Sequence, residues 1–327
     1  MKHAIKKIFF PFFLLALSPL VLAYEPGNKI ECIAPADPGG GWDFTCRNAA
    51  NVFKELELVP KAMQTINMAG AGGGVAFAHT VSKRSGDNDL LVAASTSTVT
   101  RLAQGQFPGM DVGMVNWLGT IGADYGVIAV SKGSPYQNLT ELMNALEEDP
   151  RSVKFAGGSA NGGWDHLKVL IAAKAAGVDD LPRIPYLSYN NGGEAITQLI
   201  GGHVGAFTGD ITEATGFFES GDLRVLAVLS EERLPGEFSS IPTAREQGID
   251  AIGANWRGFY MPADIDEDAK QYWVDAVDKL YASDQWKKVM KSNGLMPFHP
   301  DSSEFEAFVK QQINDIQSLS KEIGLIQ

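Results

Sequence analysis

Residues 32–46, CIAPADPGGGWDFTC, contain the pattern that decides the fold. An apolar, strand-like run ends at two prolines and three consecutive glycines, and a helix-like segment then begins at Trp42. A loop from the end of a strand to the start of a helix surrounds a concave space with unpaired N–H groups, and the helix dipole adds about half a positive charge there. Glycines let the backbone approach a ligand closely, because no Cβ intervenes. The stretch therefore predicts an anion-binding loop made of main-chain amides.

The same order of strand, glycine loop and helix recurs three more times along the chain. The four glycine loops are 37–43, 70–74, 157–163 and 190–193. Strand-like runs without such a loop are 89–94, 126–130, 224–229 and 256–261, and the chain is helix-like from Asp266 onwards. Strands that alternate with helices predict an α/β, doubly wound architecture. A single glycine loop could be only a tight turn, but four similar loops favour a shared binding role.

The first 23 residues, MKHAIKKIFFPFFLLALSPLVLA, have the features of a secretory signal peptide. A basic start precedes an apolar run, and small residues before Ala23 form a cleavage signature. The alternative is an uncleaved membrane anchor, but Pro11 and Pro19 interrupt the run, which is shorter than the ~20 residues of a membrane span. We therefore expect cleavage after Ala23 and export of the mature protein.

Length and charge limit the possible partners. A chain of 327 residues suits two domains or one large domain. Its formal net charge of −12 argues against nucleic acid or anionic lipid as a partner. A small anionic ligand is still compatible with this charge, because a local field can oppose the overall one.

The chain has two cysteines, Cys32 and Cys46, on either side of the first glycine loop. In an oxidising compartment they could form a disulfide that clamps the two flanks of the loop. Burial as two free thiols fits the sequence equally well, so both alternatives stay open.

Enzymatic signatures are incomplete. Residues 157–161, GGSAN, begin like a nucleophile elbow but end in asparagine where glycine is expected. A secreted hydrolase or lyase that uses Ser159 and His166 is an alternative function, although side chains so close on one helix start do not easily align. The histidines lack metal-ligand spacing, so we expect no catalytic residue, no metal and no cofactor.

Five stretches, in order along the mature chain, carry a family resemblance: APADPGGGWDFTCR, GTIGADYGVIAV, GGSANGGWDHL, PYLSYNNGGEAITQLIGGHV and ANWRGFYMP. They resemble the periplasmic solute receptors of the tripartite tricarboxylate transporters. The wider family usually reads P-A-G-G-G-T-D in the first loop, whereas here Asp37 and Pro38 precede the glycines and Trp42 replaces threonine. These departures resemble the branch whose receptors take citrate and other tricarboxylates.

The resemblance implies a two-domain periplasmic-binding-protein type II fold, with a mostly parallel sheet flanked by helices in each domain and a ligand cleft between them. Domain 1 would comprise 24–124 plus 230–327, and domain 2 would comprise 125–229. The protein would be a periplasmic, monomeric receptor, not an enzyme. It would deliver a small tricarboxylate or dicarboxylate, citrate-like by preference, to large and small integral-membrane permease subunits. A carboxylate-sensing partner of a membrane kinase is an alternative with the same fold.

The expected ligand-binding residues come from the resemblance and from side-chain chemistry. The resemblance implies a first-loop grip by Ala36, Gly39, Gly40, Gly41, Trp42 and Asp43. It implies a second-domain grip by Ser159, Ala160, Asn161, Gly162, Gly163, Asn191, Gly192 and Gly193. Chemistry adds the hydroxyls of Ser95 and Thr96 and the guanidinium of Arg257, which could fork onto a carboxylate or form an ion pair instead.

Acidic residues near the expected cleft need a different explanation. Asp43 is expected to cap the first helix at its amino end, since a carboxylate would repel an anionic ligand. Asp124 and Asp210 are also expected near the cleft. Such groups should be unfavourable beside a polyanion unless they bind a hydroxyl or orient a donor.

Overall fold

The structure, a computed structural model, describes residues 24–327. The predicted signal peptide, residues 1–23, lies outside the described residues. Within the described part of the chain, no helix is long and apolar enough to cross a membrane.

Nine strands and ten α-helices make up the described chain. The strands are β1 (Glu31–Ala34), β2 (Gln64–Asn67), β3 (Leu90–Ser95), β4 (Val115–Ser131), β5 (Phe155–Gly157), β6 (Tyr186–Ser188), β7 (Ala206–Asp210), β8 (Leu223–Val228) and β9 (Ala254–Pro262). The helices are α1 (Gly41–Glu55), α2 (Gly74–Lys83), α3 (Thr96–Ala103), α4 (Leu139–Glu148), α5 (Trp164–Ala175), α6 (Gly192–Ile200), α7 (Ile211–Glu219), α8 (Glu267–Ala282), α9 (Asp284–Asn293) and α10 (Phe305–Glu322).

The strands of residues 24–327 form one sheet in the order β2-β1-β3-β9-β4-β7-β5-β6, with β8 also paired to β4. The outer pairings, β1 with β2 and β3 and β5 with β6 and β7, are parallel. The inner pairings, which all involve β4 or β9, are antiparallel. The predicted α/β fold is confirmed, and its sheet is mixed because two antiparallel strands run through the centre.

Strand β4 connects the two groups of strands. Its residues up to Tyr125 pair with β9, and its residues from Gly126 onwards pair with β7 and β8. Register shifts follow Trp117 and Thr120, so the strand bends within its first half. Glycine loops from both groups of strands line the same cleft.

Helix α1 is held to the sheet by an apolar face and by a disulfide. Ala49, Val52 and Phe53, predicted at helical spacing, are buried, and the Phe53 ring packs edge-on against Trp273. Burial of a phenylalanine side chain contributes about 1.5–3 kcal/mol. Cys32 of β1 and Cys46 of α1 form a disulfide. Together these contacts fix the start of α1, and with it the first glycine loop.

Candidate functional site

The four glycine loops meet at one pocket with a volume of about 240 Å³. Each loop contributes lining residues, from within 35–42, 69–73, 158–165 and 188–191. Side chains outside the loops complete the wall: Ser97, Arg101, Asp210, Glu213, Asn255 and Arg257. The loops come from both strand groups, so the pocket lies between the two halves of the molecule.

Four helices, α1, α2, α5 and α7, start at this pocket without a side-chain cap. Helix α1 follows Gly40 and helix α5 follows Gly163, and neither of these residues has a side chain that could accept a hydrogen bond. Among residues 24–327, the N–H groups of Gly41 and Trp42 have no hydrogen-bond partner. Free amides and the positive end of a helix dipole favour a negatively charged group. The α1 end of the pocket can therefore bind a carboxylate through the main chain.

The fourth loop differs, because its helix is already capped. The Asn191 side-chain oxygen accepts from the N–H of Glu194 at 2.9 Å. The N–H of Gly192 donates to the Glu213 carboxyl at 3.1 Å. The amides of α6 are thus partly used within the protein, and this loop contributes side chains such as Asn191 to the pocket wall.

Close backbone approach explains two of the glycines. A Cβ on Gly41 would lie 2.5 Å from Arg257 Nη1, because the guanidinium packs directly against the start of α1. A Cβ on Gly158 would lie 2.6 Å from the N atom of Gly192, where the third and fourth loops touch. Both positions require the absence of a side chain.

The structure brings nine of the predicted ligand-binding residues to the pocket wall: Ala36, Gly40, Gly41, Trp42, Ser159, Ala160, Gly163, Asn191 and Arg257. The pocket wall does not include the other eight predicted residues: Gly39, Asp43, Ser95, Thr96, Asn161, Gly162, Gly192 and Gly193. The binding role of both groups stays a prediction. Every residue of the second group has a hydrogen-bond partner within residues 24–327.

Asp43 stabilises the first loop from behind the pocket. It is the third residue of α1, and its carboxylate accepts from the N–H of Gly39 at 3.0 Å, from Asn67 at 2.8 Å and from Arg47 at 2.9 Å. Burial would raise the pKa of Asp43, but hydrogen bonds from Arg47, Gly39 and Asn67 hold the pKa below its usual value. Asp43 thus orders the loop, whereas Gly40 occupies the capping position expected for an aspartate.

Ser95 and Thr96 lie behind the pocket wall and are fully buried. The Ser95 hydroxyl accepts from the Trp42 indole N–H at 3.1 Å and caps helix α3. The Thr96 hydroxyl donates to the Ala254 carbonyl at 3.3 Å and accepts from the Trp256 N–H. These hydroxyls orient the wall, and in the structure they are not available to a ligand.

Asn161 and Gly162 join the two sides of the pocket mouth. Arg101 Nη1 donates to the carbonyl of Asn161 at 3.1 Å. Gln104 Nε2 donates to the carbonyl of Gly162 at 2.7 Å. Helix α3 is therefore tied to the third glycine loop across the cleft.

Arg257 lines the pocket and is also ion-paired, so both roles considered from the sequence coexist. Its Nη2 lies 2.8 Å from a carboxylate oxygen of Asp124 and 2.8 Å from one of Asp210. Burial opposes ionisation of Arg257, but the charges of Asp210 and Asp124 keep its pKa above the usual value. Its buried Nε has no partner among the described residues. The two acids therefore orient a donor, as acids near an anion site should.

The carboxyls around Arg257 have unequal affinities for protons. Burial, together with the charge of Asp210, raises the pKa of Asp124 to about 6. Burial would raise the pKa of Asp210 as well, but Lys168 and Arg257 lower it. Burial and the nearby charges of Asp165 and Asp210 raise the pKa of Glu213 to about 8. At neutral pH Glu213 is therefore mostly protonated.

Arg101 and Asn255 are pocket residues that sequence reasoning did not select. Arg101 lies in the last turn of helix α3. In the sequence, the only signal near it is the run of serines and threonines that precedes it. Asn255 precedes Arg257 in the stretch ANWRGFYMP, where side-chain chemistry pointed to the arginine alone. Both side chains reach the pocket because the sheet brings β3 and β9 together.

The geometry does not pair Ser159 with His166. The Ser159 hydroxyl accepts from the N–H of Asp165 at 3.0 Å, and the His166 Nδ1 accepts from the N–H of Gly162 at 3.1 Å. The imidazole stacks on Tyr186, and burial lowers the pKa of His166 to about 4. These partners stabilise the start of α5. Among residues 24–327, no cluster of three or more His, Cys, Asp or Glu side chains could hold a metal ion.

Comparison with known proteins agrees with this geometry. A family model described as "Tripartite tricarboxylate transporter family receptor" matches residues 55–325. The structure is similar to that of the periplasmic binding protein BugD, with a TM-score of 0.78, 21% identity, and 90% of this chain and 97% of BugD covered. This similarity confirms the two-domain periplasmic-binding-protein-like fold.

Two further solved structures have ligands bound. MatC from Rhodopseudomonas palustris, with bound malate, has a TM-score of 0.78 and 19% identity over 89% of this chain and 98% of MatC. An R. palustris protein with adipate has a TM-score of 0.82 and 19% identity over 90% of this chain and 97% of that protein. At this level of identity the likeness is one of fold.

Proposed function

The chain belongs to the tripartite tricarboxylate transporter receptor family, and we propose that it captures a small di- or tricarboxylate, citrate-like by preference. Capture would take place in the periplasm, after removal of the signal peptide. The protein would then deliver the ligand to the large and small membrane subunits of a permease. We propose that it acts as a monomer and as a receptor rather than an enzyme.

The observation that carries this proposal is the meeting of four glycine loops from both strand groups at one pocket. At the α1 side, the free N–H groups of Gly41 and Trp42 offer main-chain donors. At the mouth, Arg101 adds a cation whose partners are the neutral oxygens of Gln104, Asn161 and Gln106. A carboxylate could therefore gain hydrogen bonds without displacing an existing ion pair.

Binding between two halves suggests that the ligand stabilises a closed arrangement. We propose that 24–124 plus 230–327 and 125–229 move as the two domains, and that the chain crosses between them within β4 and just after β8. The bonds from Arg101 and Gln104 to the third loop lie across the cleft and would have to break on opening. A ligand that touches both sides shifts the population toward the closed form, because it has more contacts there.

A ligand panel tests the proposal. The mature protein is heated with citrate, tricarballylate, malate, succinate, a sugar or a neutral amino acid, and the melting temperature is recorded. A bound ligand stabilises by RT ln(1 + [L]/Kd), which is about 2.7 kcal/mol at one hundred times Kd. We expect the carboxylates to raise the melting temperature and dimethyl malate, the uncharged control, to leave it unchanged.

The same panel can contradict the proposal. If the sugar or the neutral amino acid stabilises the protein and all four carboxylates do not, the substrate class is wrong. Titrations between pH 4 and 7 give a second check, since affinity should fall as the acid groups of the ligand become protonated. An isotherm that does not change over this range would argue against binding through carboxylates.

A further inference from the structure

One residue of the pocket wall, Asn255, has a buried hydrogen-bond acceptor with no partner among the described residues. Asn255 lines the pocket and is 2% exposed. Its Nδ2 donates to Asp210 Oδ2 at 2.5 Å. Its Oδ1 is buried and has no hydrogen-bond partner among residues 24–327. A buried acceptor left without a donor costs about 1–3 kcal/mol, so this oxygen favours a ligand that supplies one.

The orientation of the Asn255 amide is fixed by its neighbour. The charges of Lys168 and Arg257 keep Asp210 ionised, and an ionised carboxylate can only accept hydrogen bonds. The NH₂ group of Asn255 must therefore face Asp210, because the opposite orientation would place two acceptors together. The amide atom without a partner is consequently an acceptor, on a residue that lines the pocket.

The charges around Asn255 do not favour a ligand carboxylate next to this residue. Both oxygens of Asp210 are already used, Oδ1 by Lys168 and Oδ2 by Asn255 and Arg257. Lys168 is fully buried and also contacts Asp165 at 2.9 Å. The positive charges of Lys168 and Arg257 are thus balanced by the acids around them, including Asp124.

The charge on Arg101, elsewhere in the pocket wall, is not balanced in this way. Arg101 lines the mouth, and none of the ion pairs within residues 24–327 includes it. Its buried Nε also has no partner there, and it lies beside the backbone of Gly72. The pocket wall therefore carries a cation without an acidic partner at Arg101 and an acceptor without a donor at Asn255.

We propose that the ligand is a hydroxycarboxylate whose hydroxyl donates a hydrogen bond to Asn255 Oδ1 while a carboxylate lies toward Arg101. This inference rests on the proposed function and specifies its substrate class. A hydroxyl needs a single acceptor, whereas an ammonium group has three donors to satisfy. Asn255 offers one free oxygen, and the carboxylate oxygens of Asp210 have partners within the protein. A hydroxyl therefore fits this position better than an ammonium group.

Matched ligand pairs test the inference on the unaltered protein. Malate is compared with succinate, and citrate with tricarballylate, by isothermal titration calorimetry at pH 7. The members of each pair differ only by the hydroxyl. We expect the hydroxy acid to bind at least about tenfold more tightly in each pair, as one buried hydrogen bond predicts.

Variants of the protein test whether the preference for the hydroxyl depends on Asn255. Asn255→Ala should bring both affinity ratios close to one, because the acceptor is gone. Asn116→Ala is the matched control: Asn116 also lies in the central part of the sheet and donates to Pro262, but it does not line the pocket. The control should keep the ratios of the unaltered protein. Since the ligand pairs are measured first on that protein, a poorly folded Asn255→Ala variant would not prevent the test.

The outcomes separate this inference from the proposed function. If none of the four acids binds, the proposed function itself fails. If the acids bind but the members of each pair have equal affinity, the receptor function stands and the hydroxyl assignment is overturned. Aspartate is titrated as a further comparison. If aspartate binds more tightly than malate, an ammonium group rather than a hydroxyl lies beside Asn255, and the proposal is overturned.

Discussion

Gly41→Ala should both destabilise the protein and weaken ligand binding. Gly41 is the first residue of α1, where replacement of glycine by alanine would ordinarily favour the helix by up to about 1 kcal/mol. Here the new Cβ would lie 2.5 Å from Arg257 Nη1 and 2.7 Å from its Cζ. Real Cβ atoms do not approach other atoms so closely, so either α1 or the guanidinium must move.

The guanidinium cannot move freely, because Arg257 is buried and pairs with Asp124 and Asp210 at 2.8 Å. Overpacking of this kind typically costs about 1–3 kcal/mol, and breaking a buried ion pair costs about 3–5 kcal/mol. An overpacking cost in the middle of its range, about 2 kcal/mol, exceeds a gain in helix propensity of up to about 1 kcal/mol. We therefore expect the free energy of unfolding to fall by about 1 kcal/mol if the ion pairs stay intact, and by about 2–4 kcal/mol if one of them breaks.

Urea denaturation measures this loss, and calorimetry measures the accompanying drop in affinity. Gly216→Ala is the matched control: Gly216 lies in the interior of α7, and a Cβ there would meet no atom within 4 Å. That variant should gain about 0.5–1 kcal/mol in stability. If Gly41→Ala gains stability as the control does and keeps the affinity of the unaltered protein, the packing of Arg257 against α1 is not as described.

Three further predictions follow from other parts of the site. Arg101→Ala should weaken carboxylate binding at least about tenfold, as expected for loss of a charge-assisted hydrogen bond, while Arg183→Ala, at an exposed ion pair, should leave the titration unchanged. In the folded state the pKa of Glu213 is raised to about 8. The free energy of unfolding should therefore fall as pH rises from about 4.5 to 8, because Glu213 ionises first in the unfolded chain. The stability of Glu213→Gln relative to the unaltered protein should therefore rise across that range, and a constant difference between denaturation curves at pH 5 and pH 8 would contradict this assignment. Replacing both Cys32 and Cys46 by alanine should cost about 3 kcal/mol, since the disulfide closes a loop with a sequence separation of 14; equal denaturation midpoints would show that the bond does not restrain the unfolded chain.

The local pattern of the sequence was enough to predict the glycine loops and their place in the fold. A strand, a glycine cluster and a helix start are each set by neighbouring residues. The amide donors at Gly41 and Trp42 therefore follow from residues 32–46 with little help from the rest of the chain. The α/β class follows in the same way, from the alternation of strands and helices.

The tertiary structure decided which side chains complete the pocket. Arg101, Asp210, Glu213 and Asn255 come from four different segments, and nothing in their local sequence gives the direction in which they point. Ser95 shows the reverse case, since it ends a strand as predicted but lies buried behind Trp42.

The physical reason is that the direction of a side chain depends on strand register and on the pairing of β4 with β9. A shift of one residue in a strand moves its side chains to the other face of the sheet, so the sequence near Asn255 does not determine whether its amide reaches the pocket. The sequence by itself therefore determined a main-chain anion site. The pairing of distant strands decided that Arg101 and a free acceptor on Asn255 both line the pocket.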